Sequence, residues 1–151
     1  MTALARRDVV KGLAAGAVLL GSTIAQAQKV DAPAAPALTD KEKEIIAATA
    51  ECAATGRVCL ARCTDHLVAG VNMEKCQKAV MNMLAVVDAM AEVAAFRTAG
   101  AADRKAIATA CAAFCRACEK ECEPHAAHHE ECAACMKACG RCAKACDAYA
   151  A

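Results

Sequence analysis

Towards its C-terminus, the chain places cysteine where the inner face of a bundle helix usually carries leucine. Nine cysteines between residues 111 and 146 follow one another at steps of three and four residues, apart from one break around Pro124. At roughly 100° per residue, such steps keep side chains on one face of an α-helix. The pattern therefore predicts two helices that each carry a stripe of thiols.

The same steps of three and four residues organise two further helices earlier in the chain. Thr39-Asp40-Lys41-Glu42 is a capping box, so the first helix should begin there, run to about Ala69 and stop at Gly70. The second helix should begin near Asn72 and end at Gly100. The predicted inner positions are Ile45, Thr49, Cys52, Gly56, Cys59, Cys63 and His66 in the first helix, and Cys76, Val80, Met83, Val87, Met90 and Ala94 in the second.

The third helix carries the cysteines from Cys111 to Cys122, and Asp103 is its predicted N-cap. Glu123-Pro124 should end this helix and begin the fourth, because proline is tolerated at the first helical position. Four amphipathic helices with short connections predict an all-α fold. We expect an antiparallel up-down-up-down four-helix bundle with a cysteine-lined core, which would occupy residues 39–151.

This topology predicts two chemically different ends of the bundle. At one end the first helix meets the second and the third meets the fourth. This end, which we call the mouth, collects side chains that can bind metal: His66, Met73, Cys76, Cys122, His125, His128, His129 and Cys132. The opposite end collects apolar side chains next to two thiols: Ile45, Met90, Val93 and Ala94 beside Cys111 and Cys146.

Residues 1–27 have the composition of an export signal. Arg6-Arg7 precedes an apolar run, and Ala25-Gln26-Ala27 has the small side chains of a cleavage site. We therefore expect export by the twin-arginine route, to the periplasm or to a lumen associated with internal membranes. Residues 28–38 contain two prolines and should form a flexible lead-in, and no membrane insertion of the mature form is expected.

Composition excludes several classes of function. Aromatic residues make up 2% of the chain and the formal net charge is +1, without a basic patch interleaved with aromatics, so nucleic acid is not an expected partner. The sequence also has no paired-carboxylate arrangement, no serine-nucleophile motif and no phosphate-binding glycine loop. We therefore do not expect an enzyme.

The thirteen cysteines either form disulfides or bind metal. An odd number leaves at least one thiol over, and helical neighbours have Cβ atoms about 5–6 Å apart, whereas a disulfide needs about 3.5–4.5 Å. A core of unreactive cysteines would fill a bundle poorly. Besides storage of one particular metal, two functions remain open: a disulfide-rich structural or redox protein of the cell envelope, and a general thiol buffer for zinc or cadmium.

Cu(I) fits the cysteine pattern best. The overlapping spacings do not divide into the sets of four ligands that structural zinc takes. Cu(I) is soft, prefers thiolate and thioether ligands, and can be held by two thiolates one helical turn apart. Because buried thiolates need charge compensation, one Cu(I) per thiolate would neutralise the core, which predicts a capacity near one copper per cysteine. Such Cys-x-x-x-Cys pairs occur five times: Cys59/Cys63, Cys111/Cys115, Cys118/Cys122, Cys135/Cys139 and Cys142/Cys146.

These pairs, the paired arginines and the segment His125-Ala126-Ala127-His128-His129-Glu130-Glu131-Cys132 resemble the copper storage proteins, in particular the exported branch of methane-oxidising bacteria. The resemblance implies a homotetramer of four-helix bundles that stores many Cu(I) ions and supplies them to a copper enzyme such as methane monooxygenase. The roles of His125, His128, His129, Met83 and Met90 stay open. The resemblance implies that the metal ligands are His66 and Met73 at the mouth and all thirteen cysteines: Cys52, Cys59, Cys63, Cys76, Cys111, Cys115, Cys118, Cys122, Cys132, Cys135, Cys139, Cys142 and Cys146.

Overall fold

A computed structural model describes residues 36–151, which form four α-helices and one short 3-10 turn. α1 packs on α2, α2 on α3, α3 on α4 and α4 on α1, whereas the two diagonal pairs make no close backbone approach. This ring of neighbours is the predicted antiparallel up-down-up-down bundle. The helices are α1 at Asp40–Val68, α2 at Glu74–Phe96, α3 at Ala101–Cys122 and α4 at Glu130–Ala150, and the 3-10 turn is Glu123–His125.

α1 begins at the predicted capping box and ends at Val68, just before the predicted stop at Gly70. The Oγ1 of Thr39 accepts a hydrogen bond from the backbone N–H of Glu42 at 3.2 Å, and the Glu42 carboxylate accepts one from the backbone N–H of Thr39 at 2.7 Å. At the other end, Gly70 has a φ of +82°, a left-handed conformation that glycine adopts without strain. Both predictions are confirmed.

α2 ends four residues before the predicted glycine. Arg97 follows Phe96 and adopts the left-handed conformation with a φ of 56°, at a cost of about 1–2 kcal/mol for a residue with a Cβ. Contacts elsewhere compensate for this cost, because the Arg97 guanidinium pairs with the Glu42 carboxylate at 3.0 Å and donates to the Pro36 carbonyl at 2.7 Å. Gly100 caps the N-terminus of α3 instead.

α4 begins later than predicted. Pro124 lies in the 3-10 turn, and α4 starts six residues after it, at Glu130 with His129 as its N-cap. The three histidines of this segment therefore lie in the connection between α3 and α4. Asp103, the predicted N-cap of α3, lies instead in the first turn of that helix, where its negative charge is favourable.

α1 and α2 approach each other closely at Gly56. A Cβ atom at this position would lie 2.8 Å from the Cε of Met83 and 3.0 Å from the Cδ2 of Leu84, and all three residues are buried. Glycine at this position therefore makes room for α2 side chains against α1. Gly140 is different, because a Cβ atom there would meet only the carboxyl group of Glu119, at 3.0 Å.

We predict that Gly56→Leu lowers the free energy of unfolding of the reduced, metal-free protein by about 1–3 kcal/mol, because it overpacks the contact between α1 and α2. Leucine has the higher helix propensity, so such a loss cannot come from the helix itself. Gly140→Leu is the matched control and should cause no loss, because the Glu119 carboxylate can move aside. Urea unfolding followed by circular dichroism measures both variants, and equal effects would contradict the prediction.

Candidate metal centre

The thirteen cysteines line the core of the bundle, and each is at most 2% exposed. α1 contributes three of them, α2 one, α3 four and α4 five. We call these thirteen residues the thiol column. Every member belongs to at least one cluster whose Sγ atoms all lie within 4.8 Å of one another: Cys59, Cys63, Cys76 and Cys132; Cys59, Cys122 and Cys135; Cys118, Cys135 and Cys139; Cys52, Cys115 and Cys142; Cys111, Cys142 and Cys146.

The five clusters join into one continuous series of sulfur atoms. Cys59, Cys135 and Cys142 each belong to two clusters, and a contact of 3.8 Å between the Sγ atoms of Cys52 and Cys139 makes the remaining connection. A metal ion in one cluster therefore has the next set of ligands close at hand. Sulfur contacts also join neighbouring helices: Cys63–Cys76 and Cys76–Cys122 at 3.6 Å, Cys59–Cys132 and Cys118–Cys135 at 3.9 Å.

All of these cysteines are free thiols in the part of the chain that the structure describes. Their Sγ–Sγ contacts of 3.6–4.0 Å are far longer than the roughly 2.05 Å of a disulfide bond. Four clusters contain three thiols, but the one nearest the mouth contains four, which is the number of ligands that structural zinc takes. The expectation that the cysteines form no set of four is therefore wrong at this cluster.

Burial keeps thiols of the four-thiol cluster protonated. Desolvation is the first cause that raises the pKa of Cys63, to about 12, and that of Cys132, to about 11, and the negative charge of Cys76 adds to both. Thiol hydrogen bonds, first from Cys122 and then from Cys59, lower the pKa of Cys76 to about 3. Because the pKa values of Cys63 and Cys132 are raised, both thiols carry protons at neutral pH, and metal binding to them must release these protons.

Two histidines meet at the mouth. The ring centroids of His66 and His129 lie 4.2 Å apart, and both residues are half-buried. The ring of His125 lies 6.3 Å from that of His129, and His128 is exposed. Met73, the N-cap of α2, is buried. The structure thus brings His129, whose role the sequence left open, against the predicted mouth residue His66.

Apolar side chains close the opposite end of the bundle. Ile45, Met90 and Ala94 are fully buried, as predicted, and Val93 is partly buried. Thr49 is also fully buried, but its hydroxyl donates to the Ile45 carbonyl at 2.8 Å, so it is not available as a ligand. This end of the bundle therefore offers an apolar closure where the mouth offers histidine and methionine.

A four-helix bundle with a buried column of free thiols defines a class of protein that binds soft metal ions. The sequence profile of the copper storage protein family, Csp, matches residues 38–151. The chain therefore belongs to the copper storage protein family, and copper is the metal that this family binds.

Solved structures of similar proteins have the same fold. A cytosolic copper storage protein from Streptomyces lividans, described with five coppers, is 31% identical with a TM-score of 0.69, over 73% of this chain and 92% of that chain. The copper storage protein Ccsp from the same organism, loaded with 10 copper equivalents, is also 31% identical with a TM-score of 0.69, over 73% and 83%. Apo-CSP3 from Bacillus subtilis is 27% identical with a TM-score of 0.63, over 73% and 99%. A comparison with curated proteins found no match.

The prediction of export is wrong by this comparison, because the similar Streptomyces lividans protein is described as cytosolic. The export prediction relied on the paired arginines and the apolar run, which are independent of the bundle. The thiol-lined core does not itself indicate a compartment. The predicted signal, residues 1–27, and most of the predicted lead-in lie outside the described residues. The boundary at residue 39 stays a prediction.

We predict that the metal-free protein loses stability between pH 9 and pH 11. The folded state holds protons on Cys63 and Cys132 that the unfolded state releases near pH 9, so their stabilising contribution is full below pH 9 and is lost as the pH rises towards their raised pKa values. The lowered pKa of Cys76 has the opposite effect, but its contribution is already complete above pH 9 and is constant in this window.

Urea unfolding of the reduced protein under anaerobic conditions, at pH 9 and at pH 11, measures this loss. The variant Cys63→Ala/Cys132→Ala is the control, because it keeps the lysines and the tyrosine that also titrate in this range. Its unfolding midpoint should fall less between the two pH values. An equal fall in both proteins would show that these thiols do not cause the loss.

Proposed function

We propose that this chain stores copper as Cu(I) along the thiol column, with all thirteen cysteines as ligands and a capacity near one ion per thiolate. The observation that supports this most is the continuous series of clusters whose Sγ atoms lie within 4.8 Å of one another, joined by the 3.8 Å contact between Cys52 and Cys139. Cu(I) prefers thiolates and accepts few ligands, which suits clusters of three thiols. Each Cu(I) also offsets one thiolate charge in a core that water does not reach.

The relatives support a capacity of several ions. The Streptomyces lividans structures are described with five coppers and with 10 copper equivalents, and they share the four-helix bundle of this chain. We infer storage rather than catalysis, because a column of similar buried thiols offers no single activated nucleophile of the kind that a cysteine enzyme needs.

We propose that copper enters at the mouth, where His66 and Met73 act as the first ligands together with His129. Apolar side chains close the other end, and the four-thiol cluster lies next to the mouth. From there, copper can move along the column by exchange of one sulfur ligand at a time, because neighbouring clusters share a cysteine or touch. Metal bound in this way cross-links all four helices and should stabilise the folded state.

We propose that the stored copper is passed to a copper enzyme; methane monooxygenase is the acceptor that the family resemblance implies.

We also propose a homotetramer, which light scattering of the reduced protein tests directly. In support, α2 is long and apolar enough by composition to cross a membrane, yet its inner face lies in the bundle core. Its outer face exposes Met81 and Phe96 at 55% and 70%, and contact between chains would cover them.

We predict that the reduced protein takes up close to thirteen equivalents of Cu(I) in an anaerobic titration against a competing Cu(I) chelator. Zinc should bind at about one equivalent, at the four-thiol cluster. Cys142→Ser should lower the copper capacity by at least one ion, because Cys142 belongs to two clusters. Lys144→Ser, an exposed position on the same helix, is the control and should keep the full capacity.

Two outcomes of this titration would change the proposal. Saturation at one or two equivalents of Cu(I) would overturn storage and indicate a copper chaperone. Zinc uptake as large and as tight as copper uptake would favour the general thiol buffer.

We predict that His66→Ala slows Cu(I) uptake from a weak Cu(I) complex several-fold while the final capacity changes by at most one ion. The reason is that His66 lies at the mouth, outside the thiol column. Stopped-flow mixing under anaerobic conditions measures the rate, and His128→Ala, an exposed position in the same region, is the control. An unchanged rate in His66→Ala would place the point of uptake elsewhere.

A further inference from the structure

α2 contributes fewer thiols to the core than any of the other three helices. Its single cysteine, Cys76, lies at the mouth, and no thiol of α2 reaches the deeper clusters. Deeper in the core, α2 provides the thioether of Met83 instead of a thiol. The Met83 side chain is fully buried, and its Sδ accepts a hydrogen bond from the Sγ of Cys52 at 3.5 Å. This is the shortest sulfur–sulfur contact found in the described part of the chain.

The position of Met83 depends on Gly56, which lies one helical turn after Cys52 on α1. A Cβ atom at residue 56 would lie 2.8 Å from the Cε of Met83, so any larger residue would push the thioether away. A glycine on the inner face of α1 therefore lets the methionine side chain cross to the cysteine. Met90 provides a contrast, because it is equally buried on the same helix but accepts no thiol hydrogen bond among the described residues.

We propose that the Sδ of Met83 is a ligand to Cu(I) in the middle of the thiol column, where it completes a three-sulfur site with Cys52 and Cys139. This proposal rests on the proposed storage of Cu(I). Three sulfur atoms in a plane around one ion, each about 2.3 Å from it as in metal–thiolate sites, lie about 4.0 Å from one another. Two sides of this triangle are the contacts of Cys52 with Met83 and with Cys139, at 3.5 and 3.8 Å, which are already close to that spacing.

The thioether brings a chemical property that a further cysteine would not. It is a soft donor that suits Cu(I), it has no proton to lose, and it adds no negative charge to the buried core. Zinc sites take cysteine, histidine and carboxylate ligands instead. A mixed site of two thiolates and one thioether would therefore bind Cu(I) in preference to zinc at this point of the column.

X-ray absorption at the selenium edge tests this proposal in the full-length protein labelled with selenomethionine and loaded with Cu(I). A Met73→Leu background removes the methionine proposed as a ligand at the mouth. In that background the selenium spectrum should still contain a copper neighbour at bonding distance. Adding Met83→Leu should remove this neighbour, whereas adding Met90→Leu should leave it in place. Leucine and methionine have similar volumes, so both variants should fold.

A copper titration against a competing chelator gives a second readout that does not depend on the selenium label. Met83→Leu should lose one equivalent of tightly bound Cu(I), or bind it at least tenfold more weakly, and Met90→Leu should bind as the unsubstituted protein does. A copper neighbour that persists in the Met73→Leu/Met83→Leu protein, or an unchanged titration of Met83→Leu, would overturn the proposal and leave storage intact. If the unsubstituted protein bound only one or two Cu(I) ions, storage itself would fail.

Discussion

The burial of thirteen thiols in one core dominates the energetics of this bundle. An uncompensated thiolate is costly where water is excluded. The metal-free column must therefore hold protons, in agreement with the raised pKa values of Cys63 and Cys132, and the loaded column must hold cations. Protons and Cu(I) compete for the same sulfur atoms. Because either one keeps the core close to neutral, the same bundle can be folded both empty and full.

The small volume of cysteine sets a second condition. Stripes of thiols on α1, α3 and α4 leave space near the axis, and α2 supplies most of the bulk that fills it, with Val80, Met83, Leu84 and Val87. Gly56 lets Met83 and Leu84 approach α1. The proposed thioether ligand follows from this division of roles, since a flexible methionine can fill a gap and present a sulfur atom at the same time.

Local signals predicted helix ends correctly only where the neighbouring residues decide them. The Thr39–Glu42 capping box and Gly70 are such cases, and both are confirmed. The end of α2 at Arg97 was missed because its left-handed conformation depends on Glu42 and Pro36, which are distant in sequence. The start of α4 was missed because the chain forms a 3-10 turn at Pro124 before it crosses the end of the bundle. Export was predicted from the paired arginines, the apolar run and the small-residue cleavage site, whereas a similar bundle is described as cytosolic.

The spacing of residues along the chain was enough to predict the all-α bundle and to place every cysteine on an inner face, because steps of three and four residues assign each thiol to one side of its helix. It did not determine which thiols meet. A shift of one helix by a single residue moves its side chains by about 1.5 Å along the axis and rotates them by roughly 100°. Only the packing of four helices sets their relative register. The tertiary structure therefore decided the five clusters, the meeting of His66 with His129 and the contact of Met83 with Cys52.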